Sequence, residues 1–349
     1  MAARAVDPGD VENLLDLGVR NRWYPIAPSW MVEDKPVGLT RLGERIVVWR
    51  DADGEVHVLG DRCPHRGARL SMGWNLGDRL ACRYHGIEID KDGVVVDVPA
   101  VADCPLIGDK AVPSYPSFEH MGGIFAYFGD ALHPEPVTFD MPEEFTSDEW
   151  DGLLCTAHWR CNYSYAIDNV MDPMHGAYLH AESHSMAEGG KEAKMRIRPS
   201  DDGLMFEKVG QRGVNFDWVE FADTGAHWLR LALPYRKNAG PGGLFGIIGF
   251  VTPIDAENCR VFFWRTRKVQ GWQRDVWRFM YKNRLEGLHW DVLEQDREVL
   301  EGMDRDARDH EFLYQHDTGL ARVRRMLREV AEAQLAALAE AEAAGVAAE

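Results

Sequence analysis

Two short pairs of metal-binding residues constrain this chain more than any other feature of its sequence. Cys63-Pro64-His65 and Cys82-Arg83-Tyr84-His85 each offer one thiolate and one imidazole, and 16 residues separate the two pairs. Structural zinc sites usually take two cysteines or two histidines from each loop, because four donors converge tetrahedrally on one atom. One cysteine and one histidine per loop instead suit a cluster of two irons, with the cysteines on one iron and the histidines on the other.

The residues around these pairs favour such a cluster over zinc. Gly67 and Gly86 follow the two pairs, and glycine lets the backbone N–H groups approach the cluster sulfurs closely. Two neutral imidazoles in place of two thiolates also remove negative charge and raise the reduction potential. The alternatives are a zinc site or a chance grouping of common residues. The order, the spacing and the glycines together favour the iron–sulfur cluster.

Composition excludes several classes of function. The chain has 349 residues, enough for two domains, and 45% of them are hydrophobic, as in globular proteins. Its net charge of −18 argues against nucleic acid as a partner, because phosphates attract a basic surface. No stretch reaches the ~20 apolar residues of a membrane helix, and the first 22 residues lack the apolar segment of a signal peptide. We therefore expect a cytoplasmic protein without a membrane partner.

Secondary-structure patterns divide the chain into two regions. Short strands with Asp/Gly turns fill residues 38–130, and a proline-bearing linker follows at 132–142. Strand patterns return between 195 and 268, and residues 272–345 are helical in pattern. The predicted fold class is therefore α+β. Its predicted parts are an N-terminal extension over 1–20, an all-β domain over 21–135, and a domain with an antiparallel sheet and helices over 136–349.

A second group of polar residues lies in a segment with a helical pattern. Asn169, Asp172 and His175 are three residues apart, which places them on one face of a helix. His180 follows five residues after His175, so a straight helix would splay the two rings by about 140°. Pro173, together with the glycine that follows His175, allows the break that both histidines need to meet at one metal. The alternative is a helix end with satisfied polar groups.

Two histidines at a non-haem iron need one carboxylate, and this set leaves positions open for oxygen and substrate. On a helical wheel of residues 285–303, Asp296 falls inside an apolar arc. The arc contains Leu285, Leu288, Val292, Val299, Leu300 and Met303. A carboxylate in such a stripe is costly without a partner or a metal, so we predict Asp296 as the third ligand. A structural ion pair or a helix-packing hydrogen bond is the alternative. His289 lies on the same arc and is predicted to line the pocket.

The two patterns together resemble the alpha (oxygenase) subunit of the Rieske non-haem iron ring-hydroxylating oxygenases. The resemblance extends from about residue 21 to about residue 325. The opening Asn21-Arg22-Trp23-Tyr24-Pro25 is similar to the phthalate dioxygenase and vanillate O-demethylase branch. Respiratory Rieske proteins carry two further cysteines, at positions where this chain has Ala68 and Tyr84. Their absence fits an oxygenase or a ferredoxin rather than a quinol-oxidising protein.

This resemblance implies a full set of cofactors and partners. The implied ligands are Cys63, His65, Cys82 and His85 for a Rieske [2Fe–2S] cluster, and His175, His180 and Asp296 for a mononuclear Fe(II) in a helix-grip-like catalytic domain. Asp172 would link the Rieske histidine of one subunit to the iron of the next, with Asn169 as support, which implies a homotrimer. O2 would be the co-substrate. Electrons would come from NAD(P)H indirectly, through a separate reductase or ferredoxin.

The predicted function is a terminal oxygenase that oxidises a small aromatic compound, expected to be an aromatic acid, by hydroxylation or oxidative demethylation. A Rieske electron carrier without oxygenase activity would explain residues 63–85, but it would leave His175, His180 and Asp296 unexplained. A zinc-stabilised interaction module is a third possibility.

Arginines are candidates for two further roles. Arg230, Arg212 or Arg236 could bind a substrate carboxylate bidentately, although a surface role for each is the alternative. The sequence also concentrates arginines around the cluster ligands of an otherwise acidic chain, where they could dock an acidic electron donor. These are Arg62, Arg66, Arg69, Arg79 and Arg83. Pairing with local acids is the alternative there. Residues 183–194 are polar and are predicted to cover the site as a lid.

Overall fold

Antiparallel sheets form two regions that follow one another along the chain. The computed structural model describes residues 7–183, 190–235 and 243–345. Small sheets occupy the first part of the chain, and one large sheet with helices occupies the second. The predicted α+β class is confirmed.

The N-terminal region contains three small sheets, with strand orders β1-β11-β10, β2-β3-β4-β9 and β5-β6-β7-β8. Short 3-10 turns at Ser29–Met31 and Leu70–Met72 connect some of the strands. The strands are β1 Arg22–Pro28, β2 Val37–Arg41, β3 Glu44–Arg50, β4 Val56–Gly60, β5 Trp74–Asn75, β6 Arg79–Ala81, β7 Glu88–Asp90, β8 Val95–Asp97, β9 Ser114–Tyr115, β10 Ser117–His120 and β11 Gly123–Phe128.

The predicted hairpin between β3 and β4 shows why this region folds as it does. Val48 pairs with Val58, and the apolar residues of β3 are buried on both faces. Asp51 closes the turn, because its Oδ1 accepts hydrogen bonds from the N–H groups of Asp53 (3.0 Å) and Glu55 (2.9 Å). This hairpin separates two small cores, one under β1 and β11 and one under the cysteine loops.

The C-terminal region is built on a seven-stranded antiparallel sheet with the order β12-β18-β17-β16-β15-β14-β13. Its strands are β12 Trp150–Trp159, β13 Met195–Pro199, β14 Gly203–Lys208, β15 Trp218–Asp223, β16 His227–Tyr235, β17 Gly243–Asp255 and β18 Asn258–Lys268. The helices of the described residues are α1 Pro8–Leu17, α2 Glu143–Thr146, α3 Tyr163–Val170, α4 Trp272–Met280, α5 Glu286–Glu301 and α6 Thr318–Ala343. A π-helical segment, Tyr281–Leu285, joins α4 to α5, and 3-10 turns lie at His175–Ala177, Ala307–His310 and Gln315–Asp317.

Strand β18 shows how the large sheet is covered on both faces. Val261 and Phe263 point toward the core beneath the helices. Phe262 and Trp264 point the other way and pack on aromatic side chains of the N-terminal region, including Phe125. Because successive side chains of a strand alternate between faces, the sheet joins the two regions through one continuous layer.

The N-terminal segment packs on the end of the chain. Val11 of α1 and Ala331 of α6 share a small buried cluster, and Arg328 forms an ion pair with Glu12. The N-terminal segment is thus in contact with α6, and the domain boundaries after residues 20 and 135 stay predictions. Within the described ranges, no helix has the length and apolar character required to cross a bilayer.

Candidate metal centres

Two loops with the same backbone conformation carry the Cys/His pairs. In the first loop, the Cys63 N–H donates to the Ala68 carbonyl at 2.8 Å, and the Gly67 N–H donates to the Cys63 carbonyl at 2.9 Å. The second loop repeats both hydrogen bonds from Cys82 onward, each at 2.8 Å. Gly67 and Gly86 have φ angles of +73° and +76°, a conformation that favours glycine. The glycines predicted to support the cluster are therefore required by the loops themselves.

The four side chains of these loops differ in exposure by residue type. Cys63 and Cys82 are 2% and 1% exposed, whereas His65 and His85 lie at the surface with ring centroids 4.7 Å apart. Burial raises the pKa of the Cys63 thiol to about 11, and the adjacent Cys82 adds to this rise. Two neighbouring thiols without a disulfide need a metal cation to persist as thiolates in an apolar core. The set fits an inner iron bound by sulfur and an outer iron bound by imidazole.

The second candidate centre follows helix α3, which is shorter than predicted. α3 ends at Val170, and Pro173 follows soon after. Proline disfavours the helical conformation in the residue before it, here Asp172. The prediction that Asn169, Asp172 and His175 share one helical face is therefore wrong. Only Asn169 lies in α3, and His175 begins a 3-10 turn.

The fold nevertheless brings His175, His180 and Asp296 together. The Nε2 atoms of His175 and His180 lie 3.5 Å and 3.2 Å from Asp296 Oδ1, and one ligand atom from each residue falls within 4.8 Å of the others. Within the described residues, His180 Nε2 and Asp296 Oδ1 are buried without a hydrogen-bond partner. Two imidazoles and one carboxylate with unsatisfied donor atoms fit a divalent iron that keeps open positions.

Gln295 holds one of these histidines in a single tautomer. His180 Nδ1 donates to Gln295 Oε1 at 2.7 Å, which leaves Nε2 as the lone-pair donor beside Asp296. Burial lowers the pKa of His175 and keeps that ring neutral. Burial also disfavours a charged His180, but the Asp296 carboxylate outweighs it and raises the pKa of His180. The Asp296 carboxylate thus favours positive charge on the His180 side of the centre. No signal in the sequence pointed to Gln295, because it is a neutral residue on an acidic helix.

Asp172 lies at the edge of this centre. Its Oδ1 accepts a hydrogen bond from the Met174 N–H at 2.7 Å, and its Oδ2 lies 4.0 Å from His175 Nδ1. Asp172 and Asn169 border a second cavity together with the exposed side chain of Tyr178. The carboxylate therefore stands between His175 and the surface.

A mostly apolar cavity lies over His175, His180 and Asp296. Its other lining residues are Asn169, Val170, Phe216, Leu231, Leu233, Phe245, Ile247, Phe263, Arg265, His289, Val292 and Leu293. His289 is one of the lining residues, and its ring centroid lies 4.6 Å from that of Phe245. The sheet supplies most of the apolar wall, and α5 closes it from the other side.

The apolar arc predicted along α5 is only partly buried. The residues that face the core are Leu285, His289, Leu293, Asp296 and Leu300. Leu288, Val299 and Met303 were predicted in the same arc, but they are 40–45% exposed. Val299 and Met303 border the second cavity beside Asp172. The apolar stripe is wider than the buried face because it also covers this outer surface.

Two arginines that the sequence offered as substrate anchors are already paired. Arg230 lies 3.0 Å from Glu144 and 2.9 Å from Glu220. Arg212 lies 3.5 Å from Glu207. Neither arginine borders the cavity over the three donors, so the predicted role of Arg230 in the substrate pocket is not supported by its position.

Arg265 borders this cavity, although the sequence did not single it out. Strand alternation places it on the same face as Val261 and Phe263, which is only a partial signal, because the pattern does not show which face of the strand borders the cavity. Arg236 and residues 184–189 of the predicted lid lie outside the described residues.

The arginines near the cluster loops are in different electrostatic environments. Arg79 pairs with Asp78 (2.9 Å) and Glu88 (3.2 Å), which agrees with a structural role. The remaining four are exposed and form no ion pair within the part of the chain that the structure describes. They are Arg62, Arg66, Arg69 and Arg83.

Comparison with known families agrees with this arrangement. Residues 22–116 match the family described as the Rieske [2Fe-2S] domain. Residues 159–333, half of the chain, match the C-terminal domain of the vanillate O-demethylase oxygenase. The chain belongs to the Rieske oxygenases. The predicted family and its vanillate O-demethylase-like branch are confirmed, and so is the [2Fe–2S] cluster that a Rieske domain holds.

This Rieske oxygenase is also similar to individual proteins and solved structures. The vanillate O-demethylase oxygenase subunit of Pseudomonas sp. (strain HR199 / DSM 7063) is 34% identical over 169 residues, covering 48% of this chain and 47% of that protein. The chain spans about half the length of the curated relatives it matches. Dicamba monooxygenase bound to dicamba has the same fold, with a TM-score of 0.75 at 22% identity over 91% of this chain and 99% of the other. The oxygenase in a complex with ferredoxin from carbazole 1,9a-dioxygenase gives 0.73 at 22% identity, over 95% and 93%.

Proposed function

We propose that this chain is the terminal oxygenase component of a system that oxidises a small aromatic compound with O2. One observation carries the proposal: a single chain presents two separate donor sets of the types that the two iron centres of this family require. The first set combines the buried Cys63 with the exposed His65, and the second set places His175 and Asp296 in a buried cavity. An electron carrier needs only the first set.

Each set would hold a different group. Cys63, Cys82, His65 and His85 would bind the [2Fe–2S] cluster, and His175, His180 and Asp296 would bind the mononuclear iron. When bound, the cluster supplies single electrons and the iron supplies the site of O2 chemistry.

Protein side chains orient the metal ligands and form the substrate cavity. The hydrogen bond to Gln295 keeps the Nε2 of His180 available as a ligand. Phe216, Phe245 and Phe263 form part of a wall that suits a flat apolar substrate and excludes water from it. The proposal includes both hydroxylation and oxidative demethylation, because the two reactions differ only in which substrate carbon faces His175, His180 and Asp296.

Exposed surfaces of the two regions support an assembly in which electrons would pass from the cluster of one copy to the iron site of the next copy. His65 and His85 lie beside exposed apolar side chains such as Tyr84, whose ring is 3.9 Å from that of His85. Around Asp172, the exposed side chains of Tyr178 and Val299 offer a second apolar surface. We propose that these two surfaces meet in a homotrimer, with Asp172 accepting a hydrogen bond from a Rieske histidine of the neighbouring copy.

The electron donor is a separate ferredoxin or reductase that draws on NAD(P)H. The carbazole 1,9a-dioxygenase structure is itself an oxygenase–ferredoxin complex. The exposed arginines around the cluster loops would attract an acidic donor, because complementary charge speeds association.

Metal analysis tests the proposal directly. The purified protein should contain about three irons and two acid-labile sulfides per chain, whereas a carrier would contain about two of each. Zinc without sulfide would contradict both. A screen of methoxylated aromatics and aromatic acids with a surrogate reductase should then yield product, and formaldehyde release would identify demethylation. Native mass spectrometry should give three chains per particle.

A further inference from the structure

Arg265 is the one described basic side chain with a permanent charge in the lining of the cavity over His175, His180 and Asp296. It lies on β18 with only 3% of its surface exposed. Phe263, two residues earlier on the same strand, borders the same cavity, and its ring centroid is 5.6 Å from the Arg265 guanidinium carbon. The charge is thus placed on a wall that is otherwise mainly apolar.

No carboxylate of the described residues lies within ion-pair distance of Arg265, and its Nε has no hydrogen-bond partner there. The phenol of Tyr281 interacts with it, but burial raises the pKa of Tyr281, so this neighbour stays neutral. Arg230 on the same sheet contrasts with it, because two carboxylates bind that guanidinium. Burial alone therefore does not explain why Arg265 lacks a counter-ion.

A buried guanidinium without a counter-ion is energetically unfavourable. Arginine does not lose its proton in proteins, so it cannot escape the cost of burial by becoming neutral. The cost of burying an ion is large when no group of opposite charge offsets it. A ligand that brings an anionic group would recover part of this cost, and the planar guanidinium matches a carboxylate or a sulfonate in a bidentate geometry.

We propose that Arg265 binds an anionic group of the substrate, so that the substrate class is flat aromatic carboxylates or sulfonates. The aromatic body would lie against Phe216, Phe245 and Phe263, and the anionic group would fix which end of the molecule faces the metal-binding residues. This inference rests on the proposed function, since it assigns the substrate of the same cavity. It replaces Arg230 and Arg212 as substrate anchors.

Binding without turnover tests the assignment. Isothermal titration of the oxidised holoprotein, without a reductant, would use 4-methoxybenzoate and 4-toluenesulfonate together with the uncharged 4-methoxybenzamide and 4-toluenesulfonamide. The variants are Arg265→Gln, which removes the charge, and Arg265→Lys, which keeps the charge but loses the planar fork. Arg260→Gln is the matched control, because Arg260 lies on the same strand, bonds Thr156 and does not border the cavity.

The parent should bind at least one acid at least about tenfold more tightly than its uncharged counterpart. Arg265→Gln should weaken acid binding by about 30-fold or more, equivalent to about 2 kcal/mol at 1.4 kcal/mol per tenfold change, and leave the amide affinity nearly unchanged. Arg265→Lys should be intermediate, and Arg260→Gln should resemble the parent. The assignment is wrong if Arg265→Gln retains the acid affinity, or if the parent binds no acid or does not distinguish the acids from the amides. The last two comparisons need no variant, so they hold even if Arg265→Gln fails to fold.

Two outcomes separate this inference from the proposed function. A protein with three irons that oxidises only neutral aromatics would retain the oxygenase and reject the role of Arg265. A protein that binds acids through Arg265 but lacks the mononuclear iron and turns over no substrate would retain the role of Arg265 and reject the oxygenase.

Discussion

The two candidate metal centres are built in opposite ways. The Cys/His loops lie within 23 residues of sequence, from Cys63 to His85, and repeat one backbone motif held by hydrogen bonds inside each loop. The His/His/Asp centre joins a segment after α3 to a helix more than a hundred residues later, and its donors lie in a buried cavity. The first centre is a local structure, whereas the second exists only when the large sheet and α5 are packed together. Substitutions should therefore separate them.

The largest effect is expected from Cys82→Ser. Loss of one buried thiolate should remove the whole cluster, so iron should fall by about two and sulfide by about two per chain. Turnover should be lost, while the mononuclear iron stays in place because no ligand is shared. Cys104→Ser is the control, since Cys104 packs against the same core without belonging to the loops. Loss of all three irons on replacing Cys82 would show that the two centres depend on each other.

Asp296→Ala is the reciprocal change in the buried centre. Iron should fall by about one per chain, and turnover should be abolished, because two imidazoles alone hold Fe(II) poorly. The visible absorbance of the Rieske cluster should be unchanged. Asp291→Ala on the exposed side of the same helix should behave like the parent. Full iron content in Asp296→Ala would remove Asp296 from the ligand set.

Gln295→Leu examines the support of the buried centre rather than its ligands. His180 would lose the acceptor that fixes its tautomer, and partners of this kind typically contribute about 10- to 100-fold in metal affinity. Iron retention during dialysis against a chelator measures the effect. Gln295→Glu keeps an acceptor oxygen and should restore much of the affinity. Equal retention in the leucine variant and the parent would mean that the hydrogen bond is dispensable.

Asp172→Asn should affect the link between the centres and leave both of them loaded. We expect the cluster to be reduced normally by the donor, but its reoxidation in the presence of substrate and O2 should slow by about tenfold or more. Stopped-flow absorbance of the cluster separates the two steps. An unchanged rate of reoxidation would rule out Asp172 as the bridge.

The smallest effect is expected at the outer surface of the first centre. Arg66→Glu and Arg83→Glu should raise the KM for an acidic donor by about three- to tenfold and weaken its dependence on salt. Arg79→Glu is the comparison, because Asp78 and Glu88 already neutralise that side chain. If the KM and its salt dependence stay constant in the first two variants, Arg66 and Arg83 do not contribute to docking.

The difference between the centres also explains what the sequence could predict. Ligands of the first centre are close in sequence, and the loops need glycine at fixed positions, so the pattern is visible without a structure. His175 and His180 are similarly close, but the helix expected between Asn169 and His175 ends at Val170 because Pro173 follows. The structure places the two rings beside each other although the predicted helix was wrong, and their role as metal ligands stays a prediction.

The sequence could not predict the roles of residues that depend on packing between distant elements. The stripe on α5 is apolar on more than one side, so its pattern could not show that Leu288 and Val299 face outward. Phe262 and Trp264 make the second face of β18 as apolar as the first, and alternation alone therefore left open which face carries Arg265 to the cavity. The roles of Gln295 and Arg265 both depend on side chains of other elements, which are His180 for Gln295 and the cavity lining for Arg265.

The contact between α1 and α6 has a consequence for how the protein is made. Arg328 of α6 pairs with Glu12 of α1 across 316 positions of sequence, so the first helix cannot dock on the last one until that helix has left the ribosome. Among the described residues, the buried core around Cys63 and Cys82 is formed by residues from 47 to 112. During synthesis, the residues of the cluster pocket can thus pack together while most of the catalytic region is still untranslated.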